Sequence, residues 1–266
     1  MVCKVLKPLL KVTAESRPQS MAYNTADTFE WNAKRKFWHL AGCLLMLVIF
    51  YLWKDLNGPV LNPVLLLCFV WSLVGILVSI DIMRFYSPRQ NEIIKGLPFY
   101  GRLMRPIEEN HFNATTYYIL AAAILTTAYE FGLCRESTLV LSLSVLGAAD
   151  PAAAWTRYQV HKYGLGQERA LGLLAFLLSS TLVLWGISRQ MGNPLSVKCV
   201  LCIAGIVALI ESYTKYWVTA ARPLTRQVQL HIAHHAARWI TWLYPDDNLV
   251  IPVAVAILAG LLPLVL

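Results

Sequence analysis

Residues 59–80 read PVLNPVLLLCFVWSLVGILVSI, twenty-two residues without one charged side chain. At about 1.5 Å per residue a helix of that length rises about 33 Å, enough to cross a hydrocarbon core about 30 Å thick. Six further stretches meet the same requirement, at approximately 37–53, 114–132, 137–155, 170–188, 196–213 and 249–266. The whole composition agrees with them. Of the 266 residues 57% are hydrophobic and 14% charged, with a mean hydropathy of +0.53, whereas soluble domains carry roughly 45–50% apolar and about 25% charged residues. These values exclude a soluble globular enzyme, a disordered chain and a disulfide-stapled secreted module. They predict an all-α polytopic transmembrane bundle of about seven spans.

With seven spans the termini lie on opposite sides, and the Lys/Arg count decides which. Nineteen of the 23 fall on the N-terminal tail and the loops near 81–113, 156–169 and 214–248, while Lys54, Arg135, Arg189 and Lys198 fall on the other face. The positive-inside rule then places the N-terminus in the cytoplasm. The net charge of +8 is thereby read as topology and attraction to membrane lipids, with no nucleic acid partner. Twelve of the fifteen Asp/Glu and all six His share the cytoplasmic face, which predicts a site there. Residues 1–36 are expected to be a cytoplasmic tail, because they lack the apolar core of a cleavable signal. Residues 37–266 are expected to form one transmembrane catalytic domain, with 224–243 as an interfacial amphipathic helix.

Ionisable residues at helix ends in a membrane protein are functional candidates by default. Arg35, Lys36 and His39 precede the first span, with Arg35 and His39 one turn apart on one face. Asp81 and Arg84 close the second, and Arg105-Pro106-Ile107-Glu108-Glu109 precede the third. The fourth ends in Gly147-Ala148-Ala149-Asp150-Pro151-Ala152-Ala153-Ala154, a carboxylate in a small-residue helix that a proline loosens. The bland reading of Asp150 is a structural pair with Arg157. Glu211 lies near the inner end of the sixth span. The last opens with Asp246-Asp247-Asn248-Leu249-Val250-Ile251-Pro252, where the acids are either ordinary helix caps or ligands for Mg²⁺.

Three tempting patterns carry no chemistry. Residues 96–103 have the glycine spacing of a P-loop without its Lys-Ser/Thr, Cys199 and Cys202 form a lone CxxC in an apolar run, and the sequon Asn113-Ala114-Thr115 falls on the cytoplasmic side. His231, His234 and His235 read as a titratable interfacial face.

In order, RKxxHxxG, DxxR, RxxE, the Asp-Pro/Ala motif, a Glu and DNLxxP resemble the CTP-dependent lipid-alcohol kinases, the family of dolichol kinase, phytol kinase and yeast-type diacylglycerol kinase. The resemblance covers about residues 34–260 and is most specific in the Asp150-Pro151-Ala152 and Asp247–Pro252 motifs. It implies transfer of the CTP γ-phosphate to a lipid alcohol, dolichol, polyprenol, a phytol-type isoprenoid or diacylglycerol, with Mg²⁺ or another divalent cation. The family's KSxEG-like motif is replaced by Glu168-Arg169-Ala170-Leu171-Gly172, and the segment from Glu211 to Asp246 is longer than in relatives. Phosphoryl transfer needs metal, cationic clamps and an oriented nucleophile. The metal candidates are Asp150, Asp246 and Asp247; the phosphate-facing set is Arg35, Lys36, Arg84, Arg105, Arg157 and Arg169, with Asn248 as an orienting amide. His39 or a carboxylate takes the alcohol proton, which makes Asp150, Asp247 and His39 the catalytic candidates. Two alternatives stand beside this reading. A CDP-alcohol phosphotransferase would match at Asp150, Ala154 and Gly164, but Pro151, Trp155, Glu168 and Gly172 stand where its signature has Gly, Arg, Asp and Asp. A transporter or non-catalytic descendant of the kinase scaffold would suit the lost KSxEG motif, although charges gathered at one edge favour an enzyme.

Overall fold

In a computed structural model the described residues are 33–57, 63–97, 104, 111–231 and 246–264, with side chains of the seventh helix described as far as Thr214. Among them there is no strand. Eight helices follow in chain order: α1 (Ala33–Asn57), α2 (Pro63–Tyr86), α3 (Pro88–Lys95), α4 (Ala114–Glu130), α5 (Glu136–Lys162), α6 (Glu168–Gln190), α7 (Val197–His231) and α8 (Asp247–Leu261), the last ending in a 3₁₀ turn. Six of them, all but α3 and α4, are long and apolar enough to cross a bilayer, the arrangement of a multi-pass membrane protein. The stretch expected as the third span is α4, a helix of 17 residues, shorter than the other six spans when α8 is counted with its 3₁₀ turn.

Local chemistry sets the helix ends. Ser87 caps α3 ahead of Pro88, Asn113 caps α4 by accepting from the Thr115 N–H, and Asp246 caps α8 by accepting from the Asn248 N–H, each satisfying an orphan donor of a first turn. At the opposite end α4 and α6 close on Gly132 and Gly192, both at φ +69°. The next residues, Leu133 and Asn193, donate back to the Ala128 and Ser188 carbonyls, a Schellman stop that needs a left-handed residue at that place.

Burial sorts the helices into centre and rim. In α5, 72% of the apolar window is buried, against 17% in α1 and in α2. The central α5 packs on α6, α8 and α1; α8 also packs on α4 and α7; α2 lies outside α4, and α6 beside α7. On α1 the residues Arg35, His39, Cys43, Met46 and Phe50 are buried, while Phe37, Leu44, Leu45, Val48 and Leu52 are exposed. Spacings of three and four put each set on its own face, one toward α5 and the other toward lipid.

The part of the expected interfacial helix that lies in 224–231 continues α7 without a break. The rest of that helix, His234, His235 and the tail 1–32 lie outside the described residues.

Candidate active site

Two bare backbones allow α1 to reach the bundle. A Cβ at Gly147 of α5 would stand 2.9 Å from Cys43 Cβ, and one at Gly42 would stand 3.1 Å from Tyr118 Cε1 of α4. Glycine at both places lets α1 settle directly against its neighbours, the close approach that small residues provide between membrane helices. One turn from the Cys43–Gly147 contact, His39 comes opposite Asp150.

There Lys36 Nζ donates to Asp150 Oδ2 at 2.5 Å, and His39 Nδ1 lies 4.0 Å from the same oxygen. The charges acting on the His39 ring belong to Lys36, Arg35, Asp150 and Asp247, so α1, α5 and the start of α8 share one cluster. All five side chains are nearly enclosed. Helix α5 runs straight through Pro151. The proline has no N–H for the Gly147 carbonyl, and Pro252 likewise has none for the Asn248 carbonyl.

Asp246 Oδ1 accepts from both the backbone N–H and the side-chain Nδ2 of Asn248. A carboxylate only accepts, so the Asn248 amide is turned with its oxygen away. That Oδ1 is wholly buried and has no hydrogen-bond partner among the described residues. Asp246 thus acts as helix cap and amide orienter, and among the described residues no three His, Cys, Asp or Glu side chains gather to hold a metal. Asp150, Asp247 and the Asn248 amide oxygen are all oxygen donors, the type that Mg²⁺ takes, and that ion binds through as few as one or two carboxylates and completes its shell with water and substrate phosphates.

The remaining candidates divide. Arg84 and Asp81 form a fully enclosed pair at 2.9 Å, both side chains 0% exposed. Arg84 also donates to the His111 carbonyl at 2.6 Å and contacts Met104 Sδ at 3.2 Å, while Asp81 Oδ2 accepts from the Asn113 N–H and the Thr116 hydroxyl. These contacts clamp α2 to the start of α4, and they leave Arg84 on internal groups rather than facing a nucleotide. Asn113 of the sequon is part of the same buried junction. Arg157 pairs with Glu211, Nη2 to Oε1 at 2.9 Å, instead of with Asp150. Arg169 is exposed in the first turn of α6, and Glu168 lies 3.4 Å from His161. Arg105 lies outside the described residues. Cys199 is buried and Cys202 exposed, both as free thiols.

Sequence reasoning passed over Tyr118 and Cys43 and met Gly42 and Gly172 only as motif letters without a packing role, though all four shape these contacts without being charged. The glycines carried the one available signal, since each sits in a helix interior where glycine is unfavourable unless something approaches closely. No protein-family model, curated protein or solved structure matches the chain.

Proposed function

We propose that this chain is an integral-membrane kinase that transfers the γ-phosphate of CTP to the hydroxyl of a lipid alcohol at the cytoplasmic membrane face. The observation that supports it is the enclosed cluster of Lys36, His39, Asp150, Asp247 and Asn248 at one end of an apolar bundle. Ionisable groups are costly there unless they serve a site. The Lys/Arg bias of the loops supports a cytoplasmic position for that end. At such an edge a nucleotide arrives from water and the lipid hydroxyl from within the leaflet.

The residues take complementary roles in this reading. Asp150, Asp247 and the Asn248 amide oxygen hold Mg²⁺, which when bound offsets charge on the phosphates. Lys36 and Arg35, with Arg157 and Arg169, face the polyphosphate and stabilise charge on the equatorial oxygens of the transferred group. The alcohol oxygen bonds to the γ-phosphorus, the bond from that phosphorus to the β–γ bridging oxygen breaks, and CDP departs. The hydroxyl proton passes to His39, whose Nδ1 lies 4.0 Å from Asp150 Oδ2, or to a neighbouring carboxylate. Arg84 has no part in the transfer; its pair with Asp81 sets the height of α4.

The test is a nucleotide-by-acceptor panel with purified protein, Mg²⁺ and γ-labelled CTP, offered dolichol, shorter polyprenols, phytol and diacylglycerol. Labelled lipid phosphate is expected with at least one acceptor. No labelled product, while a related kinase works in the same detergent, refutes the proposal. Release of CMP with a new phosphodiester lipid would point to a CDP-alcohol phosphotransferase instead.

A further inference from the structure

Gly172 and Glu211 take no part in the transfer as described, yet both touch Arg157. The arginine leaves α5 and lies along the bare backbone of α6. A Cβ at Gly172 would stand 2.5 Å from Arg157 Cγ and 3.0 Å from both Cδ and Nη1. A contact that short with the inner part of the side chain has no easy relief, because Cγ cannot swing aside without moving the whole guanidinium. At its far end Nη2 meets Glu211 of α7, whose side chain is 0% exposed while that of Arg157 is 14% exposed. Among the described residues this is the hydrogen bond that Arg157 makes. Nε and Nη1 remain unclaimed on a side chain that still reaches solvent.

Arginine presents its N–H groups as a rigid planar fork. With one edge fixed on an enclosed carboxylate, the other edge is aimed before any ligand arrives, and less freedom is lost on binding. Arg157 lies two turns, about 10 Å, along α5 from Asp150 and on nearly the same face. Arg169 is exposed on α6 one turn before Gly172 and restores the net positive charge that Glu211 cancels.

We propose that the unclaimed edge of Arg157 is a subsite for the polyphosphate of the nucleotide donor, and that Gly172 and Glu211 are its positioning residues. Gly172 gives the side chain its path and Glu211 fixes its angle. This rests on the kinase reading for the identity of the ligand, and the test separates the two.

The full chain in detergent is titrated with inorganic triphosphate at fixed Mg²⁺, and thermal unfolding is followed in parallel. Arg157→Lys keeps a cation beside Glu211 but lacks the second donor edge. It is expected to unfold near the wild-type temperature and to bind about tenfold more weakly, the scale of one lost charge-assisted contact. Gly172→Ala and Glu211→Gln are expected to weaken binding several-fold, and Gly172→Ala keeps every charge, so it decides the matter even where Glu211→Gln fails to insert. Wild-type protein that binds no triphosphate, or Arg157→Lys that binds as wild type, overturns the subsite. Gly172→Ala that binds as wild type overturns the positioning roles, whatever Glu211→Gln does. Triphosphate binding with the expected losses, but no phosphate transfer to any alcohol, overturns the kinase reading alone.

Discussion

Among the described residues the enclosed ion pairs all lie at one end of the bundle, where exposed ones such as Lys95–Glu92 and His161–Glu168 also occur, and the other end has none that is enclosed. At the end that holds the cluster, the pairs Asp81–Arg84, Lys36–Asp150 and Arg157–Glu211 all have at least one partner enclosed to 3% exposure or less. At the other end Lys54 and Glu136 pair with 44% and 25% of their side chains exposed, and Arg189 rests on the Trp185 ring. Exposed pairs add little because water and salt already solvate both partners. Enclosed pairs are hard to explain by stability, since desolvation offsets their attraction and apolar replacements of equal volume often serve as well. A chain that encloses three of them at one end places its costly pairs where the proposed transfer would occur.

Three substitutions test that contrast. The largest effect is expected from Asp150→Asn, which keeps the shape but removes the charge facing Lys36 and His39: turnover should fall at least a thousandfold, about 4 kcal/mol in barrier, while membrane insertion is kept. Activity within tenfold of wild type would remove Asp150 from the reaction. Next comes Asp81→Ala, which strands Arg84 without its carboxylate. A loss of about 3–5 kcal/mol is expected in denaturant unfolding from mixed micelles, and the apolar double replacement Asp81→Leu with Arg84→Met should recover part of it. The smallest effect is expected from Lys54→Ala, at about 0–1 kcal/mol with unchanged turnover. If Lys54→Ala destabilised as much as Asp81→Ala, the contrast between the ends would fail.

The helices and the gathering of acids at one end were legible because both depend on composition along the chain. Residues 59–80 announce a span by length alone, and Asp246 announces a cap by its place before an apolar run. The pairings were not legible. Asp150 has Arg157 seven residues away on its own helix, yet it takes Lys36 from α1, because Gly147 draws α1 against α5 and Glu211 draws Arg157 toward α7. Arg84 reads as a phosphate-facing cation by its position at a helix end, but only its contacts with Asp81, Met104 and His111 show it enclosed. Which helices become neighbours decides each case, and periodicity within one helix is silent about that. Gly172 is the plainest example: as the glycine that a degenerate motif keeps it shows no role, whereas beside Arg157 it leaves room for the side chain.

Helix α7 has one more consequence. Its 35 residues rise about 52 Å, against a hydrocarbon core of about 30 Å, and Glu211, which grips Arg157, is the fifteenth of them. The apolar crossing ends close by, at Thr214, so the grip falls at the edge of the span, and the twenty residues beyond Glu211, Pro223 among them, carry about 30 Å of further rise that no single crossing needs.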